Sequence, residues 1–235
     1  MTFKKLIFAL LVINMISSHA QETHHSFSYI MKKKMTYRYI LNKPKQESLK
    51  PLIIFLHGSG EKGDDLNKVK IHGPLKYVDQ NPLDAYILAP QCPVDEYWDS
   101  DMLYQLILHV LEENPMIDKN RIYLTGLSMG AWGAWNLAVA HSELFAALVP
   151  IAGYTDRVPL IEACELKDIP IQIFHGLLDN VVPYTDSVEI YLKLKVCNDN
   201  VHITIFDDAD HDSWTRVYDN NVIYDWMLKQ KKAIK

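Results

Sequence analysis

Six short stretches of this chain are apolar almost without interruption, and they limit its fold more than any other feature. They cover residues 52–56, 86–89, 122–124, 148–151, 171–174 and 201–206. A strand that faces solvent on one side alternates polar and apolar residues. One that is apolar throughout must be covered on both faces, which is the habit of parallel sheets. Helical patterns lie between the runs. Asp99 or Ser100 can cap a helix reaching Glu113, with Leu103, Leu106, Ile107 and Val110 at helical spacing, and further helices are predicted over 129–140, 185–194 and 213–228. Residues 36–40 alternate and stop short of Pro44, as an antiparallel edge strand does. The fold class read from this order is α/β: a mostly parallel central sheet with helices on both faces. There is no repeat period and no linker, so a single domain is expected over residues 21–235.

The first twenty residues read as a secretory signal. Lys4 and Lys5 precede an apolar run, and Ser18-His19-Ala20 offers small residues for cleavage before Gln21. The run is shorter than the roughly 20 residues a membrane span needs. Cleavage after Ala20 removes two lysines and no acid, taking the 24 basic against 29 acidic residues to 22 against 29, a net charge of −7. A nucleic-acid partner is therefore not expected, and neither is a membrane partner after cleavage. The expected location is secreted or periplasmic. Three cysteines are too few for a disulfide scaffold. Cys164 and Cys197 could pair once exported, or all three could be small buried residues.

One junction carries chemistry. Gly126-Leu127-Ser128-Met129-Gly130 follows a strand and opens a helix, the setting in which a serine on a sharp turn stands clear of the sheet as a nucleophile. Such a serine needs a base, and the base needs an acid to orient it. Of the later histidines, His141 ends a helix, His175 follows a strand directly, and His202 lies within a strand. His211 sits in Asp208-Ala209-Asp210-His211-Asp212, between the last strand and the last helix, at the carboxyl edge of the sheet where open α/β folds bind ligands. His211 is the expected base. Asp179, in the loop after the penultimate strand, is the expected acid, with Asp156 its main rival. Asp208, Asp210 and Asp212 lie too near His211 in sequence for easy pairing.

The oxyanion formed on attack needs positioned N–H donors. The amide of Met129 is one. The loop His57-Gly58-Ser59-Gly60-Glu61 should turn the Ser59 amide inward as the other. Residues 153–168 are too few for a helical cap, so no large lid is expected and the cleft should be open. Tyr97, Trp98, Trp132 and Trp214 lie beside the site loops and could wall a phenolic or sugar group. Of these, Trp98 and Trp214 are the substrate-contact candidates, with His72 at the rim. No metal or cofactor is called for.

The motifs HGSGEKGDD, APQCP, GLSMG, HGLLDNVVP and DADHDSW together resemble the α/β-hydrolase superfamily, in its compact secreted branch of dienelactone-hydrolase or prolyl-oligopeptidase type. The resemblance runs over about residues 36–229. It implies an α/β-hydrolase fold, with Ser128, Asp179 and His211 as the triad and Ser59 and Met129 at the oxyanion. Ala131 stands where a second glycine is usual. The expected function is cleavage of carboxylic esters through an acyl-enzyme, of a small molecule or a polysaccharide, with acetyl or feruloyl esters of plant polysaccharide as the leading class. The alternatives are a serine peptidase acting on small peptides and an inactive hydrolase fold used for binding.

Overall fold

Among the described residues seven strands form one sheet in the order β1-β3-β2-β4-β5-β6-β7. The computed structural model describes residues 36–45 and 48–232. The segment read as a signal, residues 1–20, lies outside the described residues. The strands are β1 (Arg38–Asn42), β2 (Lys50–Leu56), β3 (Tyr86–Gln91), β4 (Ile117–Leu127), β5 (Ala147–Ile151), β6 (Ile171–Gly176) and β7 (Val201–Phe206). β1 pairs antiparallel with β3, Arg38 opposite Gln91, and every other pairing is parallel. The edge strand begins two residues later than expected. β4 begins earlier, because Ile117 pairs with Lys50 before the register shifts at Lys50/Leu52.

The apolar runs end up where their composition requires. Leu52, Ile53, Ile54, Ile87, Leu88, Leu124 and Leu148 are all fully buried. Among the described residues seven helices are joined to the strands: α1 (Gly73–Val78), α2 (Ser100–Glu113), α3 (Met129–Ala140), α4 (Arg157–Ile161), α5 (Tyr184–Leu194), α6 (Trp214–Tyr218) and α7 (Asn221–Lys229). On one face Ile53, Phe55, Ile87, Tyr123 and Val149 share a core with Leu75 of α1, Tyr218 of α6, and Tyr224 and Met227 of α7. The strand pleat turns Leu52, Ile54 and Leu56 to the other face. There α3 lies against β4 and β5 with α2 beside it. Buried residues surround α3, as suits a helix enclosed by sheet and neighbours.

Two further details differ from the sequence reading. The helix expected over 213–228 is two helices, because Asn220 leaves helical geometry and its side-chain oxygen accepts the Val222 N–H at 3.0 Å, starting α7 afresh. The sequence reading missed α1, a six-residue helix opened by Gly73-Pro74. Residues 153–168 hold only α4 and a 3₁₀ turn at Ala163–Leu166, with no lid domain. Cys164 and Cys197 are disulfide-bonded, and Cys92 is free and buried, with burial pushing its thiol up to about 11.

Candidate active site

The parallel strands deliver their loops to one edge. Ser128 follows β4, Asp179 follows β6 and His211 follows β7. Ser128 sits at φ 53°, ψ −119°, a conformation that non-glycine residues avoid. Helix α3 begins immediately afterwards, and Gly130 is pressed so closely onto β2 that a Cβ there would lie 1.9 Å from the Leu56 carbonyl oxygen. Only glycine admits that approach, and it holds the serine turn in place. The His211 loop is seated the same way. A Cβ on Gly176 would lie 2.2 Å from the Asp210 carbonyl oxygen, and the Leu178 N–H donates to the Ala209 carbonyl at 2.9 Å.

The three side chains meet in series. Ser128 Oγ is 3.0 Å from His211 Nε2, and His211 Nδ1 is 2.7 Å from Asp179 Oδ2. The Asp179 side chain is fully buried, and its Oδ1 accepts the Val181 and Val182 N–H groups, each at 2.9 Å. Burial alone would raise its pKa. The bonds from His211 and from the two amides outweigh burial and hold it below the usual carboxylate value. An ionised Asp179 can only accept, so the His211 proton sits on Nδ1 and Nε2 is free to take one from Ser128.

Beside Ser128 lies an open cleft of about 410 Å³, bordered by Ser59, Lys62, Tyr97, Met129, Tyr154 and the Val181–Pro183 turn. Ser59 begins a 3₁₀ turn and Met129 begins α3, positions whose N–H groups have no acceptor within their own helix. The aromatic residues sort themselves differently from expectation. Trp98 does not face the cleft. It is 3% exposed, its indole N–H donates to the His57 carbonyl at 3.2 Å, and its side chain packs against Gly133. Trp214 and His72 do not line the cleft either. Trp214 meets His211 edge-on at 5.0 Å and His72 at 5.8 Å. The aromatic border is Tyr97 and Tyr154, each in contact with Trp132, and the Lys62 ammonium lies over the Tyr97 ring at 4.7 Å.

The alternatives considered from sequence lie elsewhere. Asp156 accepts the Trp132 indole N–H at 2.6 Å. Asp208 pairs with Arg216, Asp210 accepts the Asp212 N–H, and Asp212 accepts the Thr215 N–H in the first turn of α6. His141 stacks on Tyr104, and His202 is exposed on β7. Sequence reasoning missed Tyr154, Lys62 and, above all, His175. His175 is fully buried, and its Nε2 is 3.0 Å from Asp179 Oδ2. Its place at the end of a buried strand, four residues before the acid, was the available signal.

The sheet order, the crossovers and the loops gathered at the carboxyl edge define an α/β-hydrolase fold, and the chain is a member of that superfamily. More particularly, it belongs to the dienelactone hydrolase family, whose sequence profile matches residues 95–224, more than half of its length. It is similar to a thermostable esterase of known crystal structure at 30% identity and a TM-score of 0.75, over 86% of this chain and 61% of the esterase. It is also similar in fold to the acylaminoacyl peptidase of Pyrococcus horikoshii (20% identity, TM-score 0.67), over 86% of this chain and 41% of the peptidase. Esterase PE8 matches at 20% identity and a TM-score of 0.65, over 83% of this chain and 100% of that one. The chain thus spans about three fifths of the first of these proteins and two fifths of the second.

Proposed function

We propose that this hydrolase is a serine esterase working through an acyl-enzyme, with Ser128 as nucleophile, His211 as base and Asp179 as the acid that orients it. The observation that carries the reading is the unbroken series of contacts, 3.0 Å from Ser128 Oγ to His211 Nε2 and 2.7 Å from His211 Nδ1 to Asp179 Oδ2. Ser128 Oγ adds to the ester carbonyl as its proton passes to His211 Nε2. Asp179 steadies the imidazolium, and the amides of Met129 and Ser59 receive the oxyanion. The C–O bond to the alcohol breaks and the alcohol leaves with the proton from His211. Water then repeats the sequence and frees the acid.

The openness of the cleft and its aromatic border favour soluble or polymer-attached esters over long lipid chains. Acetyl or feruloyl esters of plant polysaccharide are the proposed class. Export to the periplasm or medium, after loss of residues 1–20 from a single catalytic domain, is part of the same proposal. The Cys164–Cys197 disulfide is in keeping with an oxidising compartment.

The test is labelling by a fluorophosphonate probe, followed by turnover of p-nitrophenyl acetate, a feruloylated arabinose and peptide p-nitroanilides. Labelled protein that cleaves the esters and not the anilides is expected, and Ser128→Ala should lower kcat by roughly 10⁴–10⁶-fold. Anilide cleavage outpacing ester cleavage would make the chain a peptidase. A native protein that takes no label would be a binding fold.

A further inference from the structure

Asp179 holds a second histidine that the acyl transfer does not use. His175 is the fifth residue of β6, and no part of its side chain reaches solvent. Its Nε2 faces two acceptors, Asp179 Oδ2 and the Val182 carbonyl, each at 3.0 Å, so that nitrogen carries a proton. Its Nδ1 is 2.7 Å from Ser187 Oγ on α5. Burial, the largest influence, lowers its pKa and favours the neutral ring, which leaves Nδ1 to accept the Ser187 O–H. The ring is therefore fixed from the strand, the following loop and a helix at once.

Asp179 Oδ1 is tied to two amides of its own turn. Oδ2 has only the two histidines as side-chain partners among the described residues. His211 is partly exposed, 19% on a loop, and His175 is enclosed on a strand. We propose that His175 is a positioning residue, whose Nε2–H pins the carboxylate oxygen on which His211 turns and so keeps the imidazole aimed at Ser128. This rests on the triad reading above. A misplacement of about 1 Å in such an array costs on the order of 100-fold in rate, whereas substrate binding in the cleft does not pass through this contact.

The test compares wild type with His175→Ala, His175→Gln and Ser187→Ala, measuring kcat and KM on p-nitrophenyl acetate alongside thermal melts. His175→Ala should lose about 10–100-fold in kcat with KM within about 2-fold. His175→Gln, whose amide N–H can reach Oδ2, should recover most of that loss. A purely structural role would lower the melting temperature of both variants and leave kcat per folded molecule unmoved, and that result would overturn the inference. Should His175→Ala fail to fold, Ser187→Ala decides. It frees the far side of the ring and should lower kcat by about 3–10-fold, and an unchanged kcat would be equally fatal. Wild-type protein that takes no fluorophosphonate would bring down the triad reading first. Labelled wild type with unaffected variants would bring down this inference alone.

Discussion

A single proton on His57 governs how the loop after β2 is held. The ring is fully buried, and its Nε2 accepts the Cys92 N–H at 3.0 Å while Nδ1 lies 2.6 Å from the Gly58 carbonyl. Protonating Nε2 would set two N–H groups against each other in a fully buried site. Burial, with a smaller contribution from Lys62, takes the pKa of His57 down to about 4, against 6.5 for a free imidazole. Between those values the unfolded chain binds the proton and the folded chain does not, so stability is complete above about pH 6.5 and falls as the pH drops toward 4. The loss should reach about 3 kcal/mol at the low end. Urea midpoints measured from pH 7.5 to pH 4 should show this slope, and His57→Gln should flatten it. Residues of this kind were hard to read in the chain, because a histidine after a strand looks the same whether it holds a loop or an acid. The meeting of Ser128, Asp179 and His211 was legible, since each follows a strand whose loop must emerge at one edge. Trp98 was misread because nearness in sequence to a site loop does not say which way a side chain turns, and the small Gly133 opposite draws it inward.

Among the elements, the approach of α3 to β2 is the tightest. The N-terminus of the helix rests on the Leu56 carbonyl through Gly130, and backbone stands on both sides of the contact, so there is no flexible side chain to yield. Gly130→Ala should destabilise the fold by about 3 kcal/mol and lower the fraction of protein that labels at Ser128, as read by urea unfolding and probe titration. The strands were legible because their apolar runs leave no other placement. Boundaries set by side-chain hydrogen bonds were not. The break between α6 and α7 turns on one oxygen of Asn220, and the apolar periodicity runs straight across it. Helix α1 is too short to impose a period of its own.

At the scale of the molecule, chemistry and covalent bracing lie at opposite ends of the sheet. Cys164 precedes β6 and Cys197 precedes β7, so the disulfide spans the amino ends of two strands whose carboxyl ends lead to Asp179 and His211. Six residues of strand put roughly 20 Å between the two. Cys164→Ser with Cys197→Ser should lose about 2–4 kcal/mol of stability, read as a lower urea midpoint, while kcat stays within about 2-fold of wild type. The opposite end carries strained backbone, the left-handed turn at Ser128, one of two non-glycine residues with positive φ among the described residues, with Ala152 the other. A glycine there would be at ease, so Ser128→Gly should relieve the strain and leave a sturdier molecule without its hydroxyl. Selecting variants for survival on heating would therefore enrich for silent ones, and a preparation's robustness is no guide to its competence.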